Sequence, residues 1–266
     1  MNKVIVSDLD GTLLNGRGQV SDYTADMVKK VVEQSNIFSI ATGRTYEQTA
    51  LVRQAIGDEI LCICCNGAIV YENGKVISKS PLKKHHLKEL LDIDLCKYEK
   101  DIYINGFSQK DWLAIKEDKF MKQFSVANKV SYKVCSKEEF GEEECLKVFF
   151  ASEHHELLEE LRKEIVNKMP QLEVNFSCSS CLEVNEEGVS KYSALERFCI
   201  SKGIDVKEVI AFGDGFNDYE MLLKVGNPCV MDNAPKALKE AISHGKIIES
   251  NKKDGVARYL KKEILV

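Results

Sequence analysis

The N-terminal third of the chain alternates short apolar runs with amphipathic stretches. Residues 4–7 read as a buried strand, and apolar residues then recur at intervals of three and four, from a helix cap at Ser21 or Asp22 to about Ser35. Strands separated by helices are typical of a parallel, doubly wound α/β sheet. The same rhythm predicts strands at 37–41, 60–64, 209–212 and 229–231, and helices around 51–56, 190–202 and 217–225.

The pattern changes between residues 83 and 187. Strand-like segments crowd together there, which predicts an α+β domain with a mainly antiparallel sheet. Because the strand–helix rhythm then resumes, we expect residues 1–82 and 188–266 to form one Rossmann-like core, into which residues 83–187 are inserted. The predicted elements of the insert are strands at 102–104, 130–134, 146–151, 172–176 and 181–184, and helices at 81–95 and 153–169.

Composition narrows the class of protein. The chain has 266 residues, of which 44% are hydrophobic and 30% charged, enough for a sizeable core. A net charge of −5 argues against a general affinity for nucleic acid or anionic membranes. No apolar run approaches the roughly 18 residues of a membrane span, and Asp8 and Asp10 interrupt any signal-peptide core. We therefore expect a cytoplasmic protein without nucleic-acid or membrane partners, monomeric or weakly homodimeric.

Ten cysteines raise the question of a metal or redox site. Cys62 with Cys65 and Cys178 with Cys181 have Cys-x-x-Cys spacing, but the pairs lie much further apart than the roughly 15–20 residues of a zinc ribbon. Residues 60–64 read as a buried strand, in which a thiol serves as a small hydrophobic group. Reduced core thiols are therefore favoured over zinc or redox chemistry.

Candidate chemistry lies where the predicted strands end. Asp8 and Asp10 follow the first strand, and Gly11 supplies the tight backbone that lets both carboxylates turn toward one pocket. Thr42 and Gly43 follow the second strand, where a hydroxyl and backbone N–H groups suit phosphate oxygens. A plain loop turn is the alternative for Thr42-Gly43.

Two more motifs follow in the last third of the chain. Lys191 lies in the first turn of a helix, where a cation opposes the helix dipole at a cost of up to about 1 kcal/mol that a bound anion would offset. Asp214 follows the strand at 209–212, and Asn217 and Asp218 begin the next helix. Carboxylates such as Asp8, Asp10 and Asp214, with water, suit Mg²⁺. Alone, Lys191 could be a solvated lysine and the motif from Asp214 to Asp218 could be a helix cap. The four motifs together, in this order along the chain, favour phosphoryl transfer.

The ordered set closely resembles the haloacid dehalogenase superfamily of phosphatases. Its four motifs correspond here to Asp8-Leu9-Asp10-Gly11-Thr12, Thr42, Lys191 and Gly213-Asp214-x-x-Asn217-Asp218. The insert between the second and third motifs is similar to the C2-type cap of the Cof-type branch, subfamily IIB. The resemblance extends to the segments Ala41-Thr42-Gly43-Arg44, Asn66-Gly67-Ala68 and Asn233-Ala234.

The resemblance implies a mechanism. Asp8 would attack phosphorus and form an aspartyl phosphate, and Asp10 would protonate the leaving oxygen and later deprotonate water. Mg²⁺ would be held by Asp8, the backbone carbonyl of Asp10 and Asp214. The phosphate oxygens would be bound by Lys191, Thr42, Asn217 and the backbone N–H of Leu9. Asp218 would orient its neighbours or Lys191 and would not bind the metal.

Other functions remain open at this point. A phosphosugar mutase uses a related fold, a phospho-accepting signalling domain combines similar residues, and a sugar-phosphate-binding protein would lack turnover. For a phosphatase, sugar phosphates are the default substrates, followed by flavin mononucleotide and pyridoxal phosphate. Specificity is assigned to the insert. Its aromatic residues either read the leaving group or, as is favoured, pack its core: Trp112, Tyr103, Phe107, Phe120 and Phe124.

Overall fold

Two β-sheets organise the chain, one of eight strands and one of six. The computed structural model describes residues 3–98, 102–128 and 130–265, without the side chains of residues 120, 127 and 128. The chain divides into a larger unit, Met1–Ser78 with Ser190–Val266, and a smaller unit, Lys79–Val189.

The elements alternate along most of the chain. The strands are β1 (Val4–Ser7), β2 (Ile37–Ala41), β3 (Leu61–Cys64), β4 (Ile69–Glu72), β5 (Lys75–Lys79), β6 (Tyr103–Phe107), β7 (Trp112–Ala114), β8 (Tyr132–Val134), β9 (Lys147–Ala151), β10 (Glu173–Cys178), β11 (Cys181–Asn185), β12 (Ile210–Gly213), β13 (Asn227–Met231) and β14 (Lys246–Ile248). The helices are α1 (Asp22–Glu33), α2 (Ala50–Ile56), α3 (Lys84–Leu91), α4 (Lys119–Asn128), α5 (Lys137–Glu142), α6 (His155–Lys168), α7 (Lys191–Lys202), α8 (Tyr219–Lys224), α9 (Lys236–Ala241) and α10 (Gly255–Glu263).

The sheet of the larger unit has the order β14-β13-β12-β1-β2-β3-β4-β5. Strands β14 to β3 are mutually parallel, and β4 is antiparallel to β3. Helices α7, α8 and α9 contribute to an apolar cluster with one face of the sheet. On the opposite face, Phe212 of β12 lies 5.2 Å from the ring of Tyr259 in α10. Helices on both faces confirm the predicted doubly wound α/β fold.

The sheet of the smaller unit has the order β10-β11-β9-β6-β7-β8, and β7–β8 is the parallel pair among antiparallel ones. Helices α3, α5 and α6 pack on one face through a core that includes Phe140 and Phe150. Trp112 is buried, with its ring centroid 5.8 Å from those of Phe107 and Phe124. These aromatic side chains contact one another but do not belong to that core, so core packing and recognition of the leaving group both stay predictions for them. The side chain of Phe120 lies outside the described residues.

Several elements depart from the sequence prediction. The strand β5 was not predicted because its residues are mostly exposed and show no apolar alternation. Helices α4 and α5, the hairpin strand β4, the short strand β7 and every element after Met231 were also missed. Helix α2 buries Val52 and Ile56, whereas Leu51 is 62% exposed.

The cysteines are free thiols, and seven of the ten are buried. Cys62 and Cys64 lie inside β3, where burial raises the pKa of the Cys62 thiol to about 12. Cys178 and Cys181 are register partners across the β10–β11 hairpin. Within the described ranges, none of the helices combines the length and apolarity that crossing a membrane requires.

Candidate active site

The turn after β1 sets the position of the first two carboxylates. Hydrogen bonds from Leu13 N to Asp8 O (3.2 Å) and from Leu14 N to Leu9 O (2.9 Å) close a wide turn, in which Gly11 has a φ of +82°. The backbone N–H of Asp8 also donates to the Phe212 carbonyl on β12 (3.0 Å). As a result the Asp8 carboxylate is buried, whereas the Asp10 side chain is 59% exposed.

Lys191 begins α7 and points its ammonium group at two carboxylates. The Ser190 side chain caps the helix by accepting from Ser193 N. Lys191 Nζ donates to Asp8 Oδ1 and to Asp218 Oδ1, both at 2.7 Å, and the lysine side chain is fully buried. The sequence predicted that a bound anion offsets the unfavourable interaction of this cation with the helix dipole. In the structure the carboxylates of Asp8 and Asp218 offset it.

The loop after β12 supplies the remaining carboxylates. Asp218 Oδ2 accepts hydrogen bonds from the backbone N–H groups of Asp214 (3.1 Å) and Gly215 (3.0 Å). Thr12 Oγ1 donates to Asp214 Oδ1 at 2.7 Å and so ties this loop to the turn after β1. Asp218 therefore contacts both Lys191 and the loop that carries Asp214. That it does not bind the metal stays a prediction.

Burial shifts the pKa values in this cluster, and neighbouring charges add to or oppose the shifts. Burial raises the pKa of Asp8 well above its usual value; Lys191 opposes this shift, and the charges of Asp218 and Asp214 add to it. Burial also raises the pKa of Asp214 to about 6, against the hydrogen bond from Thr12. For Lys191, burial lowers the pKa, but Asp218 and Asp8 outweigh it and raise the value. One ammonium group does not offset three carboxylates, so the cluster suits a further cation.

The geometry of the carboxylates fits a hard divalent metal. Asp8, Asp214 and Asp218 each offer an oxygen atom, and these atoms lie within 4.8 Å of one another. Among the described residues, these three carboxylates form the one group of three or more histidine, cysteine, aspartate or glutamate side chains that lie close enough together to hold a metal. Oxygen donors alone, without cysteine or histidine, favour Mg²⁺ over soft metals.

Asp10 has a partner that sequence reasoning missed. Its carboxylate accepts from Arg44 Nε (2.7 Å) and Nη2 (2.5 Å) in a bidentate ion pair. The side chain therefore lies outside the acidic cluster, and the predicted role of the Asp10 backbone carbonyl as a metal ligand stays a prediction. In the sequence, Arg44 could have been found as a site residue from the segment Thr42-Gly43-Arg44, which was noted only as part of the family resemblance.

The predicted phosphate-binding residues lie at the same edge of the sheet. Thr42 follows β2, is buried, and accepts from the backbone N–H of Arg44 at 3.1 Å. Gly43 is half-buried beside it, Leu9 opens the turn after β1, and Asn217 is half-buried in the turn Phe216–Asp218. Because β12, β1 and β2 are adjacent and parallel, these residues follow neighbouring strand ends. Their contact with phosphate stays a prediction.

Comparison with known proteins shows the family to which the chain belongs. Residues 5–260 match the family model of haloacid dehalogenase-like hydrolases, and the chain belongs to that family. A protein of Buchnera aphidicola subsp. Schizaphis graminum is 34% identical over 270 residues, which cover 100% of this chain and 97% of that protein. An HMP-PP phosphatase of Serratia proteamaculans is 30% identical over 267 residues, with 98% and 94% covered. The predicted family and the predicted phosphatase class are confirmed.

A solved structure shows the same fold over the full length. A subclass IIB sugar phosphatase of the superfamily superimposes with a TM-score of 0.85 at 22% identity, and the match covers 100% of both chains. This likeness shows the fold. The family match and the relatives named as phosphatases show that the protein is a phosphatase, a phosphoric monoester hydrolase.

Gly11 offers a test of how tightly this cluster is packed. A Cβ atom at Gly11 would lie 2.2 Å from Asp214 Oδ2, so Gly11→Ala is expected to displace the Asp214 carboxylate and lower the rate of phosphate release more than about a hundredfold. Gly18→Ala is the matched control, because Gly18 has a similar φ of +71° and nothing within 4 Å of its Cβ position. Equal effects of the two substitutions would show that backbone strain, and not the clash with Asp214, is responsible.

Proposed function

We propose that the protein is a Mg²⁺-dependent phosphohydrolase that removes phosphate from small phosphorylated metabolites through an aspartyl phosphate on Asp8. The observation that carries this proposal is the placement of Asp8: a buried carboxylate at a strand end, 2.7 Å from Lys191 Nζ and within the acidic cluster. Membership of the haloacid dehalogenase-like family supports the same chemistry.

In the first half reaction a carboxylate oxygen of Asp8 attacks phosphorus, the bond from phosphorus to the leaving oxygen breaks, and Asp10 gives its proton to that oxygen. In the second half reaction Asp10 takes a proton from water, whose oxygen attacks phosphorus, and the bond to Asp8 breaks. Lys191, Thr42, Asn217 and the backbone N–H groups of Leu9 and Gly43 hold the phosphate oxygens.

Asp8, Asp214 and the Asp10 backbone carbonyl would hold Mg²⁺, which when bound supplies the positive charge that lets an anionic phosphate approach three carboxylates. Asp218 positions Lys191 through a 2.7 Å hydrogen bond and positions the Asp214 loop through its other oxygen. The bidentate pair with Arg44 holds the Asp10 carboxylate outside the acidic cluster in this structure.

Sugar phosphates are the proposed substrates, with phosphorylated cofactors such as flavin mononucleotide or pyridoxal phosphate as the alternative. The four motifs all lie in the larger unit and contact only phosphate and metal in this scheme. We therefore assign recognition of the leaving group to the smaller unit, acting as a cap. We place the enzyme in the cytoplasm as a monomer or weak homodimer.

A phosphosugar mutase is the second candidate, because it would use the same acidic cluster and return the phosphoryl group to a sugar. The two functions differ in one measurable product. A hydrolase releases inorganic phosphate without a bisphosphate activator, whereas a mutase requires the activator and conserves phosphate.

The test is phosphate release from a panel of sugar phosphates, flavin mononucleotide, pyridoxal phosphate and a small aryl phosphate, each with Mg²⁺ and with excess EDTA. We expect release with Mg²⁺, no release in EDTA, and recovery when Mg²⁺ is restored, because the uncompensated carboxylates otherwise repel the substrate. Full activity in EDTA would contradict the metal role. Isomerised sugar phosphate without free phosphate would favour the mutase.

A further inference from the structure

The turn after β13 brings an asparagine to the acidic cluster. The turn is anchored by hydrogen bonds from Ala234 N to Met231 O (3.0 Å) and from Asp232 N to Ile248 O (2.9 Å) on β14. Asn233 lies between these anchors. Its backbone is therefore held on both sides, and its side chain reaches toward the turn after β1.

The Asn233 amide makes three hydrogen bonds to three separate segments. Nδ2 donates to Gly11 O at 2.8 Å and to Asp214 Oδ2 at 3.3 Å, and Oδ1 accepts from Asn251 N at 3.0 Å. The chemistry of the partners fixes the orientation of this amide: a carbonyl and a carboxylate need a donor, and a backbone N–H needs an acceptor. An exposed residue is thus held in one rotamer.

Asp214 is held from two sides by neutral donors. Thr12 donates to its Oδ1 and Asn233 to its Oδ2. The clash of a Gly11 Cβ with Asp214 shows that the carboxylate lies against the turn backbone, so its position depends on how this turn is held. Asn251 Nδ2 also donates to Leu14 O at 2.8 Å, which anchors the far end of the turn to the C-terminal segment.

We propose that Asn233 is a positioning residue for the Asp214 carboxylate and thereby sets the affinity of the site for a divalent cation. The inference rests on the metal site of the proposed function. Residues that hydrogen-bond a metal ligand orient it and typically change metal affinity by roughly ten- to a hundredfold when they are removed. Asn233 does this while also holding the backbone of the turn that carries Asp8 and Asp10.

The experiment measures Mn²⁺ binding to the full-length protein without substrate, by the loss of the free-ion electron paramagnetic resonance signal. Asn233→Ala is expected to weaken Mn²⁺ binding about tenfold or more. Asn227→Ala is the matched control, because Asn227 lies at the opposite end of β13 and its amide donates to two backbone carbonyls, those of Lys207 and Val209. This control should bind Mn²⁺ within about twofold of the wild-type protein.

Asn251→Ala separates positioning from general loosening. It removes the bond to Leu14 O but leaves Asn233 and its contacts with Asp214 in place, so it should lower the thermal stability more than the Mn²⁺ affinity. A folded Asn233→Ala variant that binds Mn²⁺ as tightly as the wild-type protein would overturn the proposal. A loss of Mn²⁺ affinity that is proportional to the loss of melting temperature in all the variants would also overturn it. A wild-type protein that binds no Mn²⁺ would instead refute the metal site of the proposed function.

Discussion

Asp8→Asn is expected to lower the rate of phosphate release by at least about a thousandfold. The amide has nearly the size of the carboxylate but is not a nucleophile, and with the other groups in place no alternative route to the aspartyl phosphate exists. The measurement is phosphate release from a small aryl phosphate in saturating Mg²⁺. If the variant keeps more than a few per cent of the wild-type rate, Asp8 is not the nucleophile.

Stability provides the control for this substitution. Burial raises the pKa of Asp8, which means that folding disfavours its charged form at neutral pH. In EDTA, Asp8→Asn should therefore melt at the same temperature as the wild-type protein or higher. Asp26→Asn serves as a surface control, since Asp26 is 54% exposed and pairs with Lys30; its activity should be unchanged.

Lys191→Met should combine loss of activity with a large loss of stability. The substitution leaves the buried carboxylates of Asp8 and Asp218 without the ammonium group that lies 2.7 Å from each. Removing one partner of a buried ion pair typically costs about 3–5 kcal/mol, and we expect a decrease of that size in the free energy of unfolding in EDTA. Phosphate release should fall by more than about a hundredfold because the charge proposed to bind the phosphate is lost.

The pH dependence of this loss has a definite sign. The pKa of Asp8 is raised in the folded protein, so the cost of its charge is present above that pKa and disappears as pH falls toward the unfolded value. The destabilisation by Lys191→Met should therefore shrink between neutral and acidic pH in urea unfolding experiments. Lys202→Met, at the exposed end of the same helix, should cost at most about 1 kcal/mol. A pH-independent loss would point to packing instead of charge.

Local pattern sufficed to predict strands β1, β2, β3, β12 and β13 of the larger unit, the helices between them and the strand ends that carry the motifs. The strand before Asp8, the helix capped by Ser21 and the strand ends at Thr42 and Asp214 all depend on neighbouring residues, since period, caps and glycine turns are short-range properties. Strand β5 was missed because it is exposed at the edge of the sheet and shows no alternation. Helix α10 was missed although its buried residues Val256, Ala257 and Leu260 recur at helical spacing.

Pairings between distant segments were decided only by the tertiary structure. The residue types in the motifs indicated a phosphate site, but the sequence did not show that Arg44 holds Asp10, that Lys191 donates to Asp8, or that Asn233 reaches Asp214. Lys191 and Asp8 are 183 residues apart, and they meet because β12 and β1 are adjacent in the sheet and α7 packs beside them. Sequence spacing determines which side chains a turn presents, whereas strand order and helix packing determine which of them come within hydrogen-bond distance.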